Sequence, residues 1–295
     1  MNKQLEGLMS VHSAVLLFGV TALFSKWITL SAIDITFLRT IPAIVAIALY
    51  MKFCKENFVL HTKQDYWIAL LLAFLLSSHW ITYFHAMQVS TVAIGVISLY
   101  TYPVITVFLE PFFHGEKPQI KDIVSAIGVL IGVYLLVPDF SLANNQAVGA
   151  FWGIVSALLF ALRNIIQRRY FFQYSARTTQ FYLILFIACL LLPFSGPTLF
   201  SISALQWIQL AILGVFFTAL PHTLYTNSLR YLKAKTVGLI GCMQVVYATL
   251  FAALLLAELP NWKTVIGGLL VISGAAYESY SGSQSQKGSL ETIKN

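Results

Sequence analysis

Long apolar runs constrain this chain more than any other feature of its sequence. A bilayer core about 30 Å thick is crossed by roughly 20 apolar residues in a helix, and runs of about that length fill most of the 295 residues. Charged residues make up only 10%, against about 25% in a soluble domain. The sequence therefore predicts an all-α polytopic membrane protein with ten transmembrane helices. The predicted spans are 11–30, 35–53, 67–86, 91–110, 123–137, 148–166, 179–194, 205–228, 236–257 and 265–280.

The second constraint is a weak repeat at one constant offset of 142 positions, much longer than the period of a solenoid. It aligns residues 86–118 with residues 228–260. An offset that holds without gaps over more than half of an apolar chain indicates a duplicated half. We therefore predict a first five-helix repeat in 11–138 and a second in 148–280, followed by a disordered cytoplasmic tail in 281–295. The aligned pairs include Phe18 with Phe160, Lys26 with Arg168, Trp80 with His222, Tyr83 with Tyr225, Gly132 with Gly274 and Glu116 with Glu258.

Lysine and arginine predict the orientation, because cytoplasmic loops carry an excess of both residues. With the N-terminus in the cytoplasm, 14 of the 18 basic residues fall in inner segments. Lys26, Arg39 and Lys263 lie on the outer side, and Arg163 lies within a span. We expect an integral protein of the plasma (inner) membrane with both termini in the cytoplasm.

The two halves are predicted to have opposite orientations. Five spans separate Glu116 from its equivalent Glu258, and an odd number places them on opposite sides of the membrane. Inverted repeats are the architecture of many secondary transporters. Two inverted halves supply two equivalent gates around one central site, as alternating access requires.

Several short motifs recur in order in the two halves: Ala86-Met87-Gln88, Tyr102-Pro103, Gly115-Glu116, Ser228-Leu229-Arg230 and Ala257-Glu258, with glycine-rich fifth and tenth spans. Together with ten spans in two halves, each with a glutamate after its fourth span, they resemble the drug/metabolite transporter superfamily and, within it, the EamA family. This resemblance implies a basket of eight helices around a central cavity, with the last span of each half at the periphery. It also implies transport of amino acids, nucleotide-type or other small metabolites, often outward. The second half departs from the pattern with Val245 where the first has Pro103.

Polar residues inside the predicted spans mark a candidate site, since polar side chains in lipid are costly and usually face a cavity or a partner. His79 and Tyr83 share one face of the third helix, and His222 and Tyr225 share one face of the eighth. Pro221 frees a backbone carbonyl that must find another partner. The predicted cavity-lining, substrate-binding residues are His79, Trp80, Tyr83, Tyr102, Asn164, His222, Tyr225, Gln244 and Tyr247.

A competing interpretation treats the same residues as contacts between helices. A buried His or Gln in a membrane bundle often bonds only a neighbouring helix, at about 0.6 kcal/mol on average, and a Tyr can simply pack. Arg163 lies less than two turns before Arg168, so we expect it to extend to the cytoplasmic interface. The lining is then nearly uncharged, which suits a neutral or zwitterionic solute with an apolar part.

Several chemistries lack a sequence signal. Cys54, Cys189 and Cys242 are scattered without the spacing of a metal site or disulfide, and the sequence has no Walker A motif. We expect no cofactor, no metal and no nucleic-acid partner. No Asp or Glu lies near mid-membrane. Proton coupling therefore stays open and would depend on His79, His222 or Glu110; otherwise the protein is a facilitator or an exchanger. The oligomeric state also stays open.

These patterns favour a secondary transporter, not an enzyme. The expected substrate is a small organic metabolite, amino-acid-like or another neutral or zwitterionic solute, moved across the inner membrane by alternating access, with export favoured. A polytopic membrane enzyme would need clustered acids, His motifs or a nucleophile near the interface. A lipid scrambler or scaffold protein would favour a polar groove open to lipid instead of residues that converge at mid-depth.

Overall fold

The computed structural model describes residues 3–56, 58–114, 120–136, 144–171, 173–228, 231–232, 237, 240–274 and 276–277. All regular structure in these ranges is helical and forms ten successive apolar spans, six of them long enough to cross a membrane and four shorter. The predicted all-α polytopic class is confirmed. In order, the spans are Lys3–Thr21 with Phe24–Trp27, Ala32–Leu38 with Thr40–Phe53, Lys63–Val89, Val92–Leu99 with Tyr102–His114, Ile120–Leu136, Asn145–Tyr170, Ala176–Ser195, Ala204–Gly214 with Val215–Ala219 and Leu220–Ser228, Met243–Leu256, and Trp262–Gly274.

The third span begins four residues before its predicted start because a capping box precedes it. Thr62 Oγ1 accepts from the Asp65 backbone N–H at 3.3 Å, and Asp65 Oδ2 accepts from the Thr62 N–H at 2.9 Å. Two otherwise unpaired helix donors are thereby satisfied. Predictions that concern residues 115–118, 229–230 and 281–295 lie outside the described residues.

The two halves of the chain interleave. The third span packs along the sixth, and the first packs against the eighth and ninth. Two glycines bring the sixth span close to the first half: a Cβ on Gly149 would lie 2.1 Å from Ser90 Oγ, and one on Gly153 would lie 2.5 Å from Ser98 Cβ. Small residues of this kind are typical where membrane helices approach closely. The core is consequently shared by both halves.

The fifth and tenth spans lie at the periphery. Each presents exposed aliphatic side chains, such as Leu130 on the fifth and Leu269 on the tenth. The two spans touch through glycine, because a Cβ on Gly132 would lie 2.8 Å from the Gly267 carbonyl oxygen. The exposed apolar faces are those expected of helices that face lipid.

Three spans are interrupted in the middle of the bundle. The second breaks at Arg39, the fourth breaks between Leu99 and Tyr102, and the eighth contains the π-helical turn Val215–Ala219 just before Pro221. Pro221 frees the carbonyl of Phe217, as predicted. The partner of that carbonyl is the Thr21 hydroxyl of the first span, with 3.0 Å between Thr21 Oγ1 and Phe217 O.

Candidate functional site

A cavity of about 580 Å³ lies between the two halves of the bundle. Among the described residues, its lining comes from all spans except the fifth and the tenth. This is the eight-helix basket that the resemblance implies. The cavity brings together eight of the nine residues predicted to line it, namely His79, Trp80, Tyr83, Tyr102, Asn164, His222, Tyr225 and Gln244. Whether they bind a solute stays a prediction.

Tyr247, the ninth residue, is not part of the described cavity lining. It packs beside a small buried cluster formed by Val11, Val15 and Val237. Its Cβ also sits so close to the first span that a Cβ on Gly19 would be 2.8 Å away. The structure therefore places Tyr247 in the contact between the first and ninth spans.

His79 combines a place in the cavity wall with a contact between helices. Its Nδ1 lies 2.7 Å from Ser156 Oγ and 3.1 Å from the Ser156 carbonyl oxygen, and Ser156 Oγ donates to the His79 carbonyl at 3.0 Å. With the hydroxyl proton used in that way, Nδ1–H donates to Ser156 and Nε2 is the acceptor that can meet a solute. The imidazole also stacks on Phe160, with ring centres 4.7 Å apart.

The repeat reappears as paired ring contacts around the cavity. Phe18 meets His222 edge to face, with ring centres 4.9 Å apart. Phe160, the repeat equivalent of Phe18, stacks on His79. The repeat equivalent of His222 is Trp80, the residue that follows His79 in the chain. Each half thus places a phenylalanine of its first span against a histidine from the other half. His222 also lies 5.8 Å from Trp80, between ring centres.

Gln244 closes the wall between the fourth and ninth spans. Tyr100 donates its hydroxyl proton toward the Gly241 carbonyl and toward Gln244 Oε1, the latter at 3.1 Å. The Gln244 Nε2 group supplies two further donors, and it interacts with the Tyr83 hydroxyl. Tyr102 lies next to this pair, with its ring 5.8 Å from that of Tyr100.

Arg39 lines the cavity, although its place in the sequence predicts a position beside the first outer turn. In the structure it is 2% exposed and lines the cavity from the break in the second span. Its guanidinium carbon lies 4.0 Å from the centre of the Trp80 ring and 4.8 Å from that of Phe84. A positive charge inside an apolar run is a sequence signal for function. That signal would have marked Arg39 as a candidate cavity residue.

Arg163 also faces inward, contrary to the expectation that it reaches the cytoplasmic interface. It is 9% exposed and lines the cavity, and its Nη1 donates to Asn164 Oδ1 at 3.0 Å. Both arginines interact electrostatically with His79 and with His222. The described lining contains no Asp or Glu, so the nearly uncharged cavity expected from the sequence is in fact positively charged.

The two ends of the bundle differ. At one end, Lys26 Nζ lies 3.6 Å from Glu258 Oε1 and donates to the Ser90 carbonyl at 2.7 Å. Glu258 Oε2 in turn accepts from the Val92 N–H at 2.9 Å. None of these residues lines the cavity. These contacts join the two halves at an end that the lining of the central cavity does not reach.

The cavity lining extends toward the opposite end, where it includes Phe171, Tyr174 and Ala176. Tyr174 donates to Asp65 Oδ2 at 2.7 Å and accepts from the His61 N–H at 2.7 Å. Partial burial, together with the Asp65 carboxylate, raises the pKa of the Tyr174 phenol. The phenol therefore stays protonated and keeps its place as a donor at this end.

A helical bundle of two inverted repeats around a central cavity is the architecture of many membrane transporters. The model of the EamA-like transporter family matches residues 5–137 and again residues 147–279, so the chain belongs to this family.

Similar proteins agree with this assignment. The chain is 23% identical over 272 residues to the uncharacterized transporter YxxF of Bacillus subtilis, covering 89% of this chain and 86% of the relative. It is 24% identical over 286 residues to mouse solute carrier family 35 member G1, covering 90% and 76%. A solved crystal structure superposes with a TM-score of 0.60 at 18% identity, over 93% of this chain and 95% of that one. That superposition shows a shared fold.

Proposed function

We propose that the protein is a secondary transporter that moves a small organic metabolite across the inner membrane through the central cavity, by alternating access. The single observation that carries this proposal is the cavity itself. It lies between two inverted halves. We infer that the contacts of Lys26 and Glu258 close one end, which the described lining does not reach, whereas the lining extends to Tyr174 at the other end. A solute site that is closed at one end and extends toward the other is what alternating access needs.

The proposed orientation gives this arrangement a direction. If both termini are cytoplasmic, Lys26 and Glu258 lie on the outer side, and the cavity extends toward the cytoplasm. The structure then corresponds to a state that loads or releases solute inside the cell. Export, the direction that the family resemblance favours, would begin with loading in this state.

Counterflow in proteoliposomes tests the proposal with a panel of radiolabelled amino acids and other small metabolites. A variant with Gln244→Trp fills the cavity, whereas Leu250→Trp adds the same ring on the same helix at a half-exposed position. We expect the cavity variant to lose at least about 90% of the flux, because the added ring occupies the path, and the surface variant to keep it.

Two results would contradict the proposal. One is equal flux through the two tryptophan variants, which would place the path elsewhere. The other is a panel of solutes that gives no exchange above protein-free vesicles.

A further inference from the structure

We propose that the cavity binds a small organic anion and that its carboxylate or phosphate group pairs with Arg39 and Arg163. This inference rests on the transporter function proposed above and names the class of its substrate. It replaces the neutral or zwitterionic solute that the sequence favours.

Unsatisfied guanidinium donors are the main observation. Arg39 Nε and Nη2 and Arg163 Nε are buried and have no hydrogen-bond partner among the described residues. Leaving charged donors unpaired in a low-dielectric interior is costly. Two other basic groups of the described chain have acidic partners: Arg177 pairs with Glu56 and Lys26 with Glu258. The cavity arginines therefore lack hydrogen-bond acceptors, and a bound solute can supply them.

The aromatic neighbours of Arg39 orient its guanidinium without satisfying it. Trp80 and Phe84 offer ring faces to the cation, at 4.0 and 4.8 Å. A ring face attracts the charge, but the N–H groups point outward in the guanidinium plane and need an oxygen acceptor. A carboxylate or phosphate offers two oxygens in the geometry of this fork. The rings thus hold the fork ready for an anion.

The sign of the charge selects the solute. The described lining carries two arginines and no carboxylate. A cation would be repelled, and a zwitterion would bring its ammonium next to two positive groups with no acid to receive it. An anion gains at both arginines. The aromatic rings of Phe18, Tyr102 and Phe160 remain for the apolar part of the solute.

Matched probes test this with the purified full-length protein in detergent, at constant ionic strength. Indole-3-acetate and indole-3-acetamide have nearly the same shape and differ in charge, and phenyl phosphate represents the phosphate class. Each is titrated to about 10 mM, a range that detects millimolar dissociation constants. We expect the acetate or the phosphate to bind at least about tenfold more tightly than the amide, as a charge-assisted pair predicts.

Arginine variants identify the partner of the anion. Arg39→Gln and Arg163→Gln should each weaken binding of the preferred anion about tenfold or more and leave the amide unchanged, because only the charge-assisted pair is lost. Arg177→Gln is the matched control, since Arg177 lies outside the cavity lining and pairs with Glu56. Equal binding of acid and amide, an unchanged preference in both cavity variants, or no binding of either anion by the wild type overturns the proposal.

Counterflow with uncharged solutes separates this inference from the proposed function. If neutral or zwitterionic solutes exchange through the cavity and both arginine variants keep that exchange, the anion proposal fails and the transporter function stands. If neither anions nor neutral solutes exchange, the transporter function itself fails.

Discussion

Lys26 and Glu258 join the two halves of the chain at one end of the bundle, with 3.6 Å between Nζ and Oε1. Both side chains are about a quarter exposed, so the pair is partly screened by water. Glu258→Gln removes the charge and should weaken this closure by about 0.2–1 kcal/mol, which shifts the closed population up to about fivefold. The measurement is the rate at which a membrane-impermeant maleimide, added outside, modifies a Phe18→Cys variant in the cavity wall. That rate should rise.

The control for this variant lies at the opposite end. Glu56→Gln breaks the Glu56–Arg177 ion pair and should leave the outside rate unchanged. A Glu258→Gln rate equal to that of the parent would show that the ion pair does not hold this end closed.

The ion pair between Lys26 and Glu258 could not be predicted from the sequence, although the repeat includes both residues. The offset aligns Lys26 with Arg168 and Glu116 with Glu258, which predicts the inverted halves. Which of these residues meet depends on how the halves interleave, and that follows from side-chain packing across the whole bundle. A local pattern carries no information about such a contact.

The sequence predicted those cavity residues whose position along a span determines which side of the helix they occupy. His79 and Tyr83 share a helix face, so one helical period places both in the cavity wall. Tyr247 satisfies the same pattern and packs between helices instead, since a tyrosine can fill either role. Arg39 lies near a predicted span end, from which a long side chain can reach water or the interior. The helix break between Leu38 and Thr40 places the Arg39 side chain in the interior, and this break is seen only in the structure.

Gly214 positions Arg39, and this contact gives a second prediction. A Cβ on Gly214 would lie 2.4 Å from the Arg39 carbonyl oxygen, which is backbone and cannot move aside. Gly214→Ala should therefore destabilise the protein by about 1–3 kcal/mol. Gly128→Ala is the matched control on the fifth span, where nothing lies within 4 Å of the added Cβ. Alanine there should be neutral or stabilising by up to about 1 kcal/mol.

Thermal unfolding in detergent compares these two glycine variants. The Gly214 variant should melt at a lower temperature than the parent, and the Gly128 variant should not. Equal melting temperatures for all three proteins would show that the second and eighth spans can separate without cost.

The proposed orientation makes a third prediction, for cysteines placed in a variant without Cys54, Cys189 and Cys242. Pro197→Cys and Asn145→Cys should react with an impermeant maleimide added to intact cells. Lys63→Cys should react only after the membrane is permeabilised, because the basic segments are expected inside. The reverse pattern would place both termini outside and would turn the open end of the cavity to the exterior.

His79 and Gln244 allow the last prediction, because the structure gives them different surroundings. Imidazole Nδ1 of His79 is tied to Ser156 and the ring stacks on Phe160. His79→Ala should therefore lower stability, by about 1–3 kcal/mol for the lost bond and packing. Gln244→Ala costs little, since the Tyr100 hydroxyl still donates to the Gly241 carbonyl.

Melting temperature and solute affinity, measured together, separate the two roles. We expect Gln244→Ala to keep its melting temperature and to bind the preferred probe about three- to tenfold more weakly, as the loss of one hydrogen bond predicts. Ser156→Ala should reproduce part of the stability loss of His79→Ala without a change in affinity, because Ser156 is fully buried and does not line the cavity. If Gln244→Ala lowers stability and leaves affinity unchanged, its amide is a contact between helices, and the assignment of this residue to the substrate site is wrong.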